Sequence, residues 1–177
     1  MKYILILFVS LMMMGSAEPT FKVGEMAPDI ALPNLNGDIV KLSSLRGQMV
    51  FIDFWASWCK PCRKENPEIL ETYMKYKDEE FENGEGFTVY GVSLDKKKEA
   101  WQKAITKDGL IWETHVSDLK GWKNEAALAY GISSVPMSYL IDGDGVIVAV
   151  NPRGDKLEKE LKKNRKSESF FKSLFNW

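Results

Sequence analysis

The chain has 177 residues, 45% of them hydrophobic and 28% charged, with a formal net charge of −1. That length suits one domain with a full core, and the near-neutral charge, without the basic–aromatic pattern of an RNA-binding sheet, argues against a nucleic-acid partner. Two cysteines, Cys59 and Cys62, and one histidine, His115, are too few for a structural zinc site, which needs four ligands.

In chain order, Lys2 precedes an apolar run from Tyr3 to Met14 broken only by Ser10, and Gly15-Ser16-Ala17 follows. This is the pattern of a signal peptide over residues 1–17, cut after Ala17. The run is shorter than the roughly 20 apolar residues that span a bilayer; an uncleaved membrane anchor is the alternative. Residues 18–166 are expected to form the folded domain. After an irregular lead-in, Ile30–Leu32 and Asp38–Leu42 flank Asn34-Leu35-Asn36-Gly37 and predict a hairpin. Ser43–Gly47 predicts one helical turn ending on glycine. Met49–Trp55 is almost wholly apolar, as a central strand buried on both faces should be.

The stretch from Pro61 to about Glu80 predicts a helix kinked at Pro67. Phe87–Leu94 is a second buried strand, Lys96–Lys107 a helix, Glu113–Val116 a short strand, and Asn124–Tyr130 a helix stopped by Gly131. Met137–Ile141 and Val146–Val150 are strands joined by the turn Asp142-Gly143-Asp144-Gly145. Asp155 to about Lys163 is a last helix. The tail, residues 167–177, carries Phe170, Phe171, Leu174, Phe175 and Trp177 and is expected to be a short amphipathic helix docked on the domain. Alternating strands and helices followed by an antiparallel hairpin describe an α/β sandwich with a mixed central sheet flanked by helices.

The chemistry centres on Trp58-Cys59-Lys60-Pro61-Cys62. A c-type haem anchor requires histidine after the second cysteine, where Arg63 stands. A disulfide staple closing so short a loop stabilises little. A reacting pair fits better. Cys59 falls at a strand-to-helix junction, where unpaired N–H groups and the helix dipole favour a thiolate. Lys60 and Arg63 are expected to add positive charge there. Pro61 suits a first helical turn. Cys62, one turn on and deeper, is placed to resolve a mixed disulfide formed at Cys59. Asp53, inside the apolar strand, should have a raised pKa through burial and is a candidate proton acceptor for Cys62. Glu65 lies three residues after Cys62, on the same helix face. His115 is expected to be a surface or core residue without a catalytic part.

Phe51–Ala56 with Trp58–Cys62 resembles the active-site segment of the thioredoxin superfamily. Gly24-Glu25-Met26-Ala27-Pro28-Asp29, the Asn36-Gly37 hairpin and Leu45-Arg46-Gly47 resemble the N-terminal extension of its exported branch, the TlpA/ResA-like thiol-disulfide oxidoreductases. The resemblance spans about Phe21 to Lys163. It implies a thioredoxin-like fold with an N-terminal β-hairpin extension and a helix–strand insertion in 95–130. Ser134-Val135-Pro136-Met137 matches the family's second motif, which implies a cis Val135–Pro136 bond facing the cysteines and presenting the Val135 backbone to an extended client.

The resemblance therefore makes Cys59, Cys62, Asp53 and Glu65 candidate catalytic residues, and Trp58, Lys60, Pro61, Val135 and Pro136 candidate substrate-binding residues. Protein thiols or disulfides are the expected partners, with an upstream membrane electron donor plausible. No cofactor or metal beyond the Cys59–Cys62 redox pair is expected, and the chain is expected to be a monomer in a bacterial periplasm, acting as a reductase. Two other readings stand beside this one. A peroxidase of the peroxiredoxin type shares the fold, but its P-x-x-x-T-x-x-C pattern fits neither cysteine, since Ile52 and Ala56 precede Cys59 at the required positions and Trp55 and Cys59 precede Cys62. A non-catalytic client- or metal-binding module would use the same groove.

Overall fold

The computed structural model of the chain describes residues 20–166; the leader and the aromatic tail read from the sequence lie outside them. Strands β1 (Ala31–Pro33) and β2 (Ile39–Lys41) form the expected hairpin. A 3-10 turn, Leu42–Leu45, leads through Gly47 into β3 (Met49–Trp55), in which every residue is buried. Then follow α1 (Lys60–Tyr76), β4 (Glu80–Phe81), β5 (Gly84–Glu85), β6 (Phe87–Ser93), α2 (Lys98–Asp108), β7 (His115–Val116), α3 (Glu125–Ala129), β8 (Met137–Ile141), β9 (Ile147–Val150) and α4 (Asp155–Asn164).

The central sheet has the order β7-β6-β3-β8-β9. β6 and β7 run parallel to β3, while β8 is antiparallel to it and β9 antiparallel to β8. β3 thus sits in the middle, which is why its sequence shows no polar alternation. Successive β3 side chains point to opposite faces. On one face Phe51 lines a small cavity together with Ile69 of α1 and Leu157 of α4. Phe54 packs on Tyr130, at the end of α3, with ring centroids 5.3 Å apart on the other. The N-terminal hairpin covers that second face as well, held where the Tyr90 hydroxyl donates to the Val40 carbonyl at 2.8 Å. The outer edge of β9 is closed by the lead-in: Gly24 N–H donates to Ile147 O at 2.8 Å, and Met26 bridges to Val146. Covering an edge in this way blocks strand pairing with other chains.

One expectation about α1 needs correction. The helix stops at Tyr76 rather than near Glu80, and Glu80–Phe81 instead pairs with Gly84–Glu85 in a small hairpin. No glycine or proline stops the helix between Tyr76 and Glu80, but Phe81 is buried by pairing outside the helix, through its bridge to Arg165. Pro67 lies inside the helix, which continues on both sides of it. α2 ends at Asp108, one residue past the expected Lys107, and is capped by Gly109, whose φ of +66° is the left-handed conformation that closes a helix at little cost only in glycine. Its strand β7 extends the sheet beyond β6, so segment 95–130 is an edge insertion.

His115 lies in the core, 5% exposed, stacked on Trp112 at 5.2 Å. Burial pulls its pKa down to about 4, because the charged ring is poorly solvated there. The folded protein therefore binds fewer protons at this site than the unfolded chain between about 4 and 6.5. Its contribution to stability is complete above the upper value and is lost as pH falls through that window. His115→Leu is expected to remove about 3 kcal/mol of acid sensitivity between neutral pH and about pH 4. Urea-unfolding midpoints of both proteins at the two pH values measure it.

Candidate functional site

The parallel strands β3 and β6 end side by side, with Trp55 opposite Ser93, and α1 begins just beyond. The C-terminal edge of parallel strands is where open α/β sheets place their sites. Cys59 caps α1: its Sγ accepts the Cys62 N–H at 3.2 Å, and its carbonyl accepts the Arg63 N–H at 3.0 Å. Pro61 stands in the first turn, where its missing N–H leaves no intrahelical bond unmade. Cys59 and Cys62 are joined as a disulfide, with Cα atoms 5.3 Å apart. Both are nearly covered, 4% and 2% exposed, so the expected difference in depth is slight. Trp58, by contrast, is 52% exposed, and Lys60 and Pro61 lie on the surface beside it.

Val135–Pro136 is a cis bond, as the resemblance implies. The antiparallel register pairs Phe54 with Met137, which puts Pro136 beside the end of β3 from which the cysteine loop departs. The structure therefore brings Trp58, Cys59, Lys60, Pro61, Val135 and Pro136 to one edge of the sheet.

Arg63 departs from expectation. Its guanidinium forms a two-pronged pair with Asp108 at the end of α2 and donates to the Ser57 carbonyl at 3.1 Å. Asn66 holds the same carboxylate at 2.6 Å. Its charge is thus offset within the fold and ties α2 to α1, rather than being free to favour a Cys59 thiolate.

Asp53 is 4% exposed and lies on the face of β3 turned toward α1. Burial raises its pKa to about 6. Arg153 opposes the rise, at 3.2 Å from Asp53 Oδ1, and the Glu65 carboxylate adds slightly to it. Arg153 also pairs with Glu65. The guanidinium is thus a bridge between the buried acid of β3 and the half-buried acid of α1. Cys62 lies one helical turn before Glu65, so both face this side of the sheet.

Sequence reasoning missed Arg153. It follows β9 in Asn151-Pro152-Arg153-Gly154, with Asn151 in the left-handed region at φ +49° and its Oδ1 accepting Arg153 Nε–H at 2.9 Å. The unusual Asn-Pro-Arg-Gly turn was the available signal, but nothing local says that a residue 100 positions away meets Asp53. Replacing Arg153 with Met removes the attraction that restrains Asp53, so its carboxyl should titrate above about 6. Carbon NMR of the Asp53 side chain across pH reads this directly; an unmoved midpoint would reduce Arg153 to a packing role.

Among the described residues, no group of three or more His, Cys, Asp and Glu side chains is arranged to hold a metal, and no helix is long and apolar enough to cross a membrane.

Comparison with known proteins agrees with this geometry. The model of the AhpC/TSA family matches residues 23–150. Thiol-disulfide oxidoreductase ResA of Bacillus thuringiensis (strain Al Hakam) is 34% identical over 127 residues, 72% of this chain and 68% of that protein. The thioredoxin domain of a thiol-disulfide oxidoreductase from Bacteroides vulgatus superposes with a TM-score of 0.74 at 37% identity, covering 83% of this chain and all of that one. A thiol-disulfide oxidoreductase from Bacteroides fragilis NCTC 9343 gives 0.70 at 35% identity, covering 78% and 98%.

Proposed function

Because the chain belongs to the AhpC/TSA family and is a thiol-disulfide oxidoreductase of thioredoxin-like fold, we propose that it works as an exported reductant of protein disulfides. The Cys59 thiolate attacks one sulfur of a client disulfide. The Cys59–client bond forms as the client S–S bond breaks, and the leaving thiolate takes a proton. Asp53 accepts the Cys62 proton, and Cys62 then attacks Cys59, closing the Cys59–Cys62 bond and freeing the second client thiol. The client gains two electrons and the protein loses two. Trp58, Lys60, Pro61, Val135 and Pro136 receive the client at the sheet edge. Glu65 acts through Arg153 as a partner in setting the charge on Asp53.

The pairing of Arg63 with Asp108 carries the direction. A pair whose thiolate is strongly stabilised is a strong oxidant, since its reduced form is then the stable one. Of the two cations that flank Cys62 in the sequence motif, Lys60 and Arg63, the second is neutralised, while a buried carboxylate stands on the α1 side of the sheet. Both features leave the reduced form less stabilised. Export rests on the leader pattern of residues 1–17, and a membrane electron donor would be needed to restore the dithiol.

Equilibration of the mature protein with glutathione or dithiothreitol buffers, followed by tryptophan fluorescence, should place the pair toward about −270 mV. A value near about −120 mV would make it a disulfide donor instead. A protein recovered from its cells with Glu18 as first residue would establish the cut after Ala17; an intact Met1 would mean an anchor.

A further inference from the structure

The residues after β6 stand beside the cysteine loop, and with the 3-10 turn Gly121–Lys123 they enclose an open groove of about 490 Å³. Trp58, Leu94, Ala100 and Trp122 line it. Trp58 and Trp122 are 52% and 44% exposed, their rings 5.9 Å apart and tilted by 53°. Two large aromatic side chains left half in water next to a reacting cysteine form an apolar patch of the kind that marks a partner surface.

The exposed charged residues that line the groove are lysines. Its acid, Asp95, is only 2% exposed, and its oxygens are occupied by the Ser57 N–H and the Ser57 and Ser93 hydroxyls. Lys96 and Lys97 form the rim, and Lys60 follows Cys59 at the surface. Among the described residues no acid forms an ion pair with any of these three lysines. The Lys96 stem lies against Gly121, whose φ is +60°; a Cβ there would stand 2.7 Å from Lys96 Cε. Glycine suits this position, because its positive φ is one that other residues rarely adopt and a Cβ would push the lysine stem aside.

Resting on the reductant reading above, we propose that this groove docks the client polypeptide, taking an aromatic or large aliphatic side chain between Trp58 and Trp122 with aspartate or glutamate held by the lysine rim. Selectivity then comes from the α2–β7 insertion, on the β6 side of Cys59, opposite Pro136.

The test uses short peptides in which Phe-Cys-Glu-Glu, Phe-Cys-Lys-Lys or Gly-Cys-Glu-Glu is disulfide-linked to mercaptoethanol. Hydroxyethyl disulfide serves as a neutral reference. Each rate with the reduced protein is divided by the rate of the same probe with dithiothreitol, which removes differences in intrinsic reactivity. The acidic aromatic probe should react about tenfold faster than the lysine probe, and the advantage should shrink at high salt. Lys96→Glu combined with Lys97→Glu should reverse it. Trp122→Ala should cost the Phe probe about tenfold relative to hydroxyethyl disulfide, and the Gly probe much less.

Equal normalised rates for all three peptides, with hydroxyethyl disulfide reduced normally, would overturn the docking site and leave the reductant standing. A preference that fades as protein concentration rises would assign the groove to a second copy and overturn it equally. Failure of the wild-type protein to reduce hydroxyethyl disulfide would sink the reductant reading itself.

Discussion

Cys62→Ser, mixed in reduced form with a disulfide-bearing client, is expected to accumulate a covalent complex through Cys59, while Cys59→Ser accumulates none. The asymmetry follows from the two positions. Cys59 caps α1 and accepts a backbone N–H from the first turn, so its thiolate is the one that the helix end favours. Cys62 lies inside that turn, where its sulfur is bonded to that of Cys59 and its N–H is given to Cys59 Sγ. Without Cys59 there is no attacking sulfur, and exchange should fall by at least about a thousandfold. Without Cys62 the first step proceeds and stops. Mass spectrometry after alkylation distinguishes the two; trapping at both variants, or full turnover by either, would refute the division of roles.

Asp53→Asn should give a protein that is more stable and slower at once. The folded-state pKa of Asp53 is raised to about 6 from 3.8 by burial, which Arg153 only partly offsets. The sign follows from proton counts. Between those values the folded protein binds more protons here than the unfolded chain, so the site favours folding fully below the lower value. That advantage is lost as pH rises through about 6. Above it, the fold carries the cost of a buried charge, on the order of 3 kcal/mol at about 1.4 kcal/mol per pKa unit. Asparagine removes that charge but leaves Arg153 with Glu65 alone, so a gain of about 2 kcal/mol is expected at pH 8, vanishing toward pH 4. Loss of the proton acceptor should slow resolution by Cys62 about a hundredfold. Denaturant unfolding across pH reads the first effect, and single-turnover decay of the Cys59 mixed disulfide reads the second. A variant that is no more stable at pH 8 would mean that Asp53 is already protonated or hydrated there.

What the sequence determined by itself was local. The wholly apolar run Met49–Trp55 identified the central strand, because a strand covered on both faces has no polar side to display. Asn34–Gly37 and Asp142–Gly145 identified two hairpins, because their turns need residues that accept turn geometry. The cysteine spacing, set between that strand and a proline-bearing first turn, placed Cys59 at a helix end, and the Val135–Pro136 match placed the second half of the site. Where α1 stops was not determined, since no glycine or proline stands between Tyr76 and Glu80 and only the pairing of β4 with β5 drew Glu80 and Phe81 away. Nor was the fate of the charges. Arg63 looked free until α2 brought Asp108 to it across 45 positions. Arg153 belonged to a turn with no visible partner until α4 and β9 set it between Asp53 and Glu65. His115 and Trp122 are likewise a core residue and a groove wall only because the insertion folds against β6. Local propensities and hydrophobic period are properties of neighbours in the chain. The sign and strength of an electrostatic site depend on which distant groups share its low-dielectric space, and only the tertiary structure decides that.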